Sequence, residues 1–255
     1  MEIAELNREV AGLDISLRRA GDAPVLYVHG VPTASWDWEP FLARIGGVAP
    51  DLPGFGRSAK PGDFDYSIAG YDRFLEDFCE HAGLDRVSLV LHDWGALALV
   101  LAQRRPERIE RLVLLSSLPL LPGVRWHRVA RAWRTPVLGE LTMGFTSRRA
   151  MRRALPRAIA DRAFHDFDQG TQRAILRLYR SAPPEDLARY GERLGELTCP
   201  ALILWPSDDP YVGPEVGRRY ADALGGRPTL EMTEGGHWPW YDRPAVIARV
   251  AEFLG

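Results

Sequence analysis

The stretch that most limits what this chain can become is Val87-Ser88-Leu89-Val90-Leu91-His92-Asp93-Trp94-Gly95-Ala96-Leu97-Ala98. Its first half is a short apolar run, as in a strand buried on both faces, and its second half continues as an apolar helix. No linker separates the two, so an acid and a glycine must make the corner. In an open parallel sheet such a corner lies at the carboxyl edge of the strands, where ligands bind, and it lifts Asp93 off the backbone. An aspartate there also serves as N-cap of a helix beginning at Trp94. The rest of the chain decides between the two uses.

Around that corner the chain alternates strand and helix. Leu13 to Arg18 reads as an edge strand and Pro24 to His29 as a buried strand ending at Gly30. A helix pattern covers Ser35 to Arg44, and a short strand near Val48 stops at Asp51-Leu52-Pro53-Gly54-Phe55-Gly56-Arg57-Ser58. Ser67 to His81 has helical period, and Arg111 to Leu115 supplies another strand. This rhythm predicts an α/β fold with a mostly parallel central sheet and helices on both faces. After Ser117 it breaks: residues 118–195 hold arginine-rich amphipathic patterns, frequent prolines and no strand. It resumes with a strand at Ala201 to Trp205, a helix from Pro214 to Leu224, a strand at Thr229 to Met232 and a helix from Pro244 to Leu254. The predicted organisation is a core of residues 1–117 and 196–255 with a helical cap of residues 118–195. A cap over the sheet edge would keep water from whatever Asp93 attacks.

Composition narrows the function. A 255-residue chain with 46% hydrophobic residues can bury one large core. A formal net charge of -2 argues against a nucleic-acid partner. The acidic start Met1-Glu2-Ile3-Ala4-Glu5-Leu6 and the lack of a long apolar run predict neither a signal peptide nor a membrane partner. Cys79 and Cys199 have no metal-ligand spacing, which suggests a reducing, cytoplasmic setting. With no ligand cluster or phosphate loop, no metal or organic cofactor is expected.

Two more charged positions follow late strands. Trp205-Pro206-Ser207-Asp208-Asp209-Pro210 comes after one, and Glu234-Gly235-Gly236-His237-Trp238 after the next. A turn aspartate or a loop histidine alone would be ordinary. Together with Asp93 they give nucleophile, acid and base in the chain order of the α/β-hydrolase triad.

The chain resembles an α/β-hydrolase of the branch with an aspartate nucleophile, the epoxide hydrolases and haloalkane dehalogenases. His29-Gly30-Val31-Pro32-Thr33 resembles that branch's oxyanion loop, His92-Asp93-Trp94-Gly95 its nucleophile corner and Gly236-His237-Trp238 its base. The resemblance covers everything except the cap, where it is weak. It implies Asp93 as nucleophile, His237 as base, and the backbone N–H groups of Val31 and Trp94 as oxyanion hole. Val31-Pro32 is a candidate cis peptide. The acid that orients His237 lies in Asp208-Asp209, because the branch's alternative position reads Leu115-Ser116-Ser117-Leu118. The family pattern selects Asp209, with Asp208 as the alternative; Pro206 stands where the family has glycine. His29 and His92 are neighbours of the site rather than catalysts.

The leaving group separates two readings. A carboxylate attacks a saturated carbon and forms an alkyl ester that water later cleaves. A dehalogenase must solvate halide with N–H donors: Trp94 matches one, but Val31 stands where the family often has asparagine, leaving Trp126 or Trp133 to substitute. An epoxide hydrolase needs a phenol on the cap, and Tyr179-Arg180 resembles that pair, with Tyr190, His127 or His165 as poorer second donors. The missing asparagine puts epoxide hydrolysis, giving vicinal diols, ahead of haloalkane dehalogenation. Either way the partners are a small apolar substrate and water, on a monomer or homodimer. A catalytically silent ligand-binding module is the reading from another class, and an ordinary carboxylesterase is disfavoured because aspartate would form an anhydride.

Overall fold

The computed structural model describes residues 1–255. Eight strands form one sheet in the order β1-β2-β4-β3-β5-β6-β7-β8: β1 Ala4–Val10, β2 Leu13–Ala20, β3 Val25–Val28, β4 Gly47–Pro50, β5 Val87–His92, β6 Ile109–Leu115, β7 Ala201–Pro206 and β8 Thr229–Thr233. From β4 to β8 neighbouring strands run parallel, and β1 and β2 are antiparallel additions at one side. The edge is therefore β1, not the Leu13–Arg18 segment that alternation suggests. β1 is mostly exposed, and Arg8 breaks the alternation of Ala4, Leu6 and Val10, which leaves too short an apolar pattern to betray the strand.

Every residue of β3, β5 and β7 is buried, in keeping with their largely apolar composition, which only Ser88 and His92 of β5 interrupt. Helices α1 Glu39–Ile45, α2 Ile68–His81 and α3 Ala98–Arg104 connect the first parallel strands. α2 is capped by Ser67, whose Oγ accepts from the Gly70 N–H at 3.1 Å. The expected helices at Ser35 and Trp94 both begin as 3-10 turns, Ser35–Trp38 and Asp93–Leu97, and become α-helical only at Glu39 and Ala98.

Between β6 and β7 lie six helices: α4 Arg128–Arg134, α5 Leu138–Gly144, α6 Arg148–Ala154, α7 Arg157–His165, α8 Gln169–Arg180 and α9 Pro184–Tyr190. Prolines 136, 156, 183 and 184 fall between or at the starts of these helices, which keeps most of them to two turns. Polar ties fasten them to the core: Trp36 Nε1 donates to Asp166 at 2.8 Å, Lys60 pairs with Asp168 at 2.7 Å, and Arg162 reaches Glu39 at 2.8 Å. The chain ends with α10 Pro214–Ala223, α11 Pro239–Asp242 and α12 Ala245–Leu254.

Candidate active site

β5 delivers Asp93 to the carboxyl edge of the sheet, and the corner it turns is tight. Asp93 has φ 48°, the left-handed region that is costly for a residue with a Cβ. Two glycines make room. A Cβ on Gly95 would come 2.1 Å from the Val28 carbonyl oxygen, and one on Gly30 would come 2.4 Å from Asp93 Cβ. The Val31 N–H donates to Asp93 Oδ2 at 2.9 Å, across a loop in which the Val31-Pro32 bond is cis.

β8 and the turn after it bring His237 to the same place. Its Nδ1 lies 2.7 Å from Asp209 Oδ2, and its Nε2 stands 3.8 Å from Asp93 Oδ1. Asp209 is held in turn by the Tyr211 and Val212 N–H groups, both donating to Oδ1, at 2.8 and 2.9 Å. Asp208 is exposed and bonded to Ser207, so Asp209 is the acid that meets the histidine. His29 and His92 are buried beside the site. The His92 Nε2–H donates to the His237 carbonyl at 2.9 Å, and His29 Nε2 accepts from the Leu52 N–H at 3.0 Å.

Electrostatics follow the geometry. Burial raises the Asp93 carboxyl, opposed by His237 and by the Val31 and Trp94 N–H groups. Burial works against the charged form of Asp209 too, but His237 and the two backbone donors outweigh it and leave its carboxyl below the ordinary range. Burial pulls His237 down, while Asp209 foremost, then Asp93 and Asp37, turn the net shift upward. With Nδ1–H committed to Asp209, the Nε2 lone pair faces Asp93.

Asp37 is a buried acid close to His237 that the sequence alone does not single out. It is fully buried, its Oδ2 accepts from the Trp238 indole at 3.1 Å, and its Oδ1 has no partner. Burial pushes its carboxyl up to about 7. The available signal was an acid inside the aromatic run Trp36-Asp37-Trp38.

A cavity of about 460 Å³ opens over Asp93 and His237, roofed by Trp133, Met151, Leu155, Phe167 and Tyr179 from the helices between β6 and β7 and their connections. A second, of about 200 Å³, reaches Asp93 from the side of Trp126 and Tyr211. Tyr179 lines both, is raised by burial and by the Asp93 charge, and packs against Trp94, Trp126 and Trp133 with centroids 4.8, 5.2 and 5.1 Å away. Trp94 and Trp126 stack at 5.7 Å, and both indole N–H groups are buried without a partner. Trp126 lines the smaller cavity, whereas Trp94, like the equally unpaired Trp38 and Trp240, lines neither and is distinguished from those two by its place next to Asp93 in the chain. His127 lines both cavities. His165 instead faces a separate polar pocket, and Tyr190 reaches neither cavity. No group of three or more His, Cys, Asp or Glu side chains is arranged to hold a metal.

This fold and corner define an α/β-hydrolase, and residues 25–250 match the alpha/beta hydrolase family. The chain belongs to that family and is an enzyme of its class. Within it the chain is similar to haloalkane dehalogenases. It is 31% identical to that of Mesorhizobium japonicum over 92% of this chain and 85% of the relative, and 30% identical to that of Bradyrhizobium diazoefficiens over 98% and 93%. The crystal structure of haloalkane dehalogenase DbeA from Bradyrhizobium elkani superposes with a TM-score of 0.84 at 27% identity, covering 99% of this chain and 98% of that one. A meta-cleavage product hydrolase from Pseudomonas fluorescens, at 20% identity and TM-score 0.82, shares the fold. These relatives reverse the expected order of the two leaving-group readings and favour halide over epoxide.

Proposed function

We propose that this enzyme hydrolyses haloalkanes through an ester on Asp93. The observation that carries the reading is the stacked pair of buried indoles Trp94 and Trp126, of which Trp126 lines the smaller cavity together with Asp93 and carries an N–H group with no partner. A buried donor without an acceptor costs about 1–3 kcal/mol, and a weakly basic anion such as halide would recover it. Trp126 thus supplies what Val31 cannot.

In the first step an Asp93 oxygen attacks the carbon bearing halogen, a C–O bond forms, and the C–X electron pair leaves as halide toward the two indoles. In the second, His237 Nε2 takes a proton from water, whose oxygen adds to the ester carbonyl carbon of Asp93. The N–H groups of Val31 and Trp94 would hold the resulting oxyanion, each worth on the order of 3 kcal/mol. Collapse breaks the bond from the Asp93 carbonyl carbon to the alkyl oxygen, the proton held by His237 passes to that oxygen to give the alcohol, and the hydroxyl proton left on Asp93 is lost to solvent, restoring the carboxylate. The substrate is small and largely apolar, matching the lining of the larger cavity.

Epoxide hydrolysis is the second reading, favoured by the Tyr179 phenol, which lines the cavity within the field of Asp93. Parallel assays of halide release from bromoalkanes and diol formation from styrene oxide separate the two. Halide release without diol is the expected result, and diol without halide would overturn it. No helix is long and apolar enough to cross a membrane. The free Cys79 and Cys199 suit the reducing cytoplasm that we propose as its setting.

A further inference from the structure

The net charge of -2 conceals a strong asymmetry. Between Arg125 and Arg157 the chain carries nine arginines and one acid, Glu140, which is already paired with Arg180 at 2.7 Å. Of those nine arginines only Arg148 and Arg152 meet an acid, and both meet the same one, Asp161. The same stretch, α4 to α6 with their connections, holds five of the seven large apolar side chains that the molecule exposes. Leu138, Leu141 and Phe145 are spaced to share one face of α5, and Val137 precedes them; Phe145 is 82% exposed and Val137 69%. Contiguous exposed apolar side chains mark a surface meant to meet something.

This surface surrounds the mouth of the larger cavity. Arg128, Val129, Ala150 and Ala154 both line it and reach solvent. We propose that the outer face of α4–α6 docks on an anionic lipid bilayer, so that apolar substrate dissolved in the lipid enters the cavity directly. Arginine with exposed Phe, Leu and Val is the composition of an interfacial surface, in which the cations meet anionic headgroups and the apolar tips enter the acyl boundary. A two-fold dimer through this face would set its positive charge against itself. A nucleic acid would engage the arginines but leave the apolar row facing water. The docking does not depend on which leaving group the site handles, because binding is read without turnover.

The test is co-sedimentation of the full chain with phosphatidylcholine vesicles, with and without about one quarter phosphatidylglycerol. Partitioning at low salt should be about tenfold stronger on the anionic vesicles and weaken at high salt. Two double variants, Arg149→Glu with Arg153→Glu and Leu141→Ser with Phe145→Ser, should each reduce it about tenfold while circular dichroism and the thermal midpoint stay unchanged. All four side chains lie outside the cavity lining. Three results would overturn the proposal: no binding to anionic vesicles at low salt, binding that neither double variant weakens, or DNA duplex bound more tightly than vesicles. A dimer in sedimentation equilibrium, dispersed by the Leu141/Phe145 variant in a protein that ignores vesicles, would also reject it and assign the face to a second copy.

Discussion

His237 Nε2 stands 3.8 Å from Asp93 Oδ1, beyond hydrogen-bond reach, while its Nδ1 is fixed by Asp209 at 2.7 Å. The histidine is thus oriented by Asp209 without being bonded to Asp93, and its free lone pair faces the carboxyl group that, in the proposed mechanism, water attacks.

In the proposed mechanism the histidine serves only the second step, so its removal should separate the two. His237→Gln should retain a single-turnover burst of halide, lose about 10³-fold in steady-state turnover, and accumulate an alkylated Asp93. Rapid quench and peptide mass spectrometry read the ester directly. An unmodified Asp93 after the burst would reject the covalent route, and Asp93→Asn should show neither burst nor turnover.

If His237 is the base, as proposed, Asp209 should set the pH at which it works. It is the main contributor raising His237, so Asp209→Asn should lower the histidine pKa. Because the base must be neutral, activity rises with pH through that pKa. The variant's acidic limb should therefore move to lower pH while its kcat falls by about 10²- to 10⁴-fold. A pH–rate profile checks both. A limb that moves upward would contradict the assigned direction.

The indole pair predicts an asymmetry among the cap tryptophans. Trp126→Phe should keep the stack on Trp94 but lose a halide donor, reducing kcat/KM for bromoalkanes by roughly 10- to 100-fold, as a hydrogen bond to charge is worth about 1.5–3 kcal/mol. Trp133→Phe should change it little. Tyr179→Phe should leave halide release nearly intact and remove any diol formation from epoxides. Loss of halide release in Tyr179→Phe would assign the leaving-group role to the phenol instead.

Asp93 and Asp209 were legible because each follows a strand with a clear apolar run, β5 and β7, and strand ends in a parallel sheet converge at one edge; β8 is Thr-Leu-Glu-Met-Thr and nowhere fully buried, so His237 was legible by its place in the chain order rather than by its strand. The segment between β6 and β7 was legible only as helix. Which tryptophan would face Trp94 depends on how α4 packs against α8, and the spacing of Trp126 and Trp133 does not encode that. Asp37 stayed hidden for a related reason: the indole that satisfies its Oδ2 is Trp238, 201 residues away. β1 was missed because an exposed edge strand needs no apolar alternation.

Close approach at the corner gives a test of the fold itself. A Cβ on Gly95 would meet the Val28 carbonyl at 2.1 Å, a backbone atom in the central β3 that cannot swing aside. Gly95→Ala should cost several kcal/mol, on the order of the larger point-mutant effects, and give insoluble or unfolded protein. Gly62→Ala, where a Cβ meets nothing within 4 Å, should stay within about 0.5 kcal/mol by chemical denaturation.

Asp37 links stability to pH with a definite sign. Its carboxyl is raised from 3.8 to about 7, so between those values the unfolded chain releases a proton that the folded chain keeps. The unfolded state binds fewer protons, so the stability that Asp37 contributes is full below its unfolded pKa. That contribution declines as pH rises and is gone above about 7. His237, also raised, acts in the same direction at higher pH, so the wild type alone cannot isolate the effect. Asp37→Asn keeps the size and an acceptor for the Trp238 indole but cannot ionise. Relative to wild type it should gain stability between about pH 5 and pH 8, by roughly 1–4 kcal/mol, since a tenfold change in proton affinity is worth about 1.4 kcal/mol. Thermal or urea denaturation of both proteins at the two pH values measures the difference. Equal changes in wild type and variant would mean that Asp37 ionises normally despite its burial.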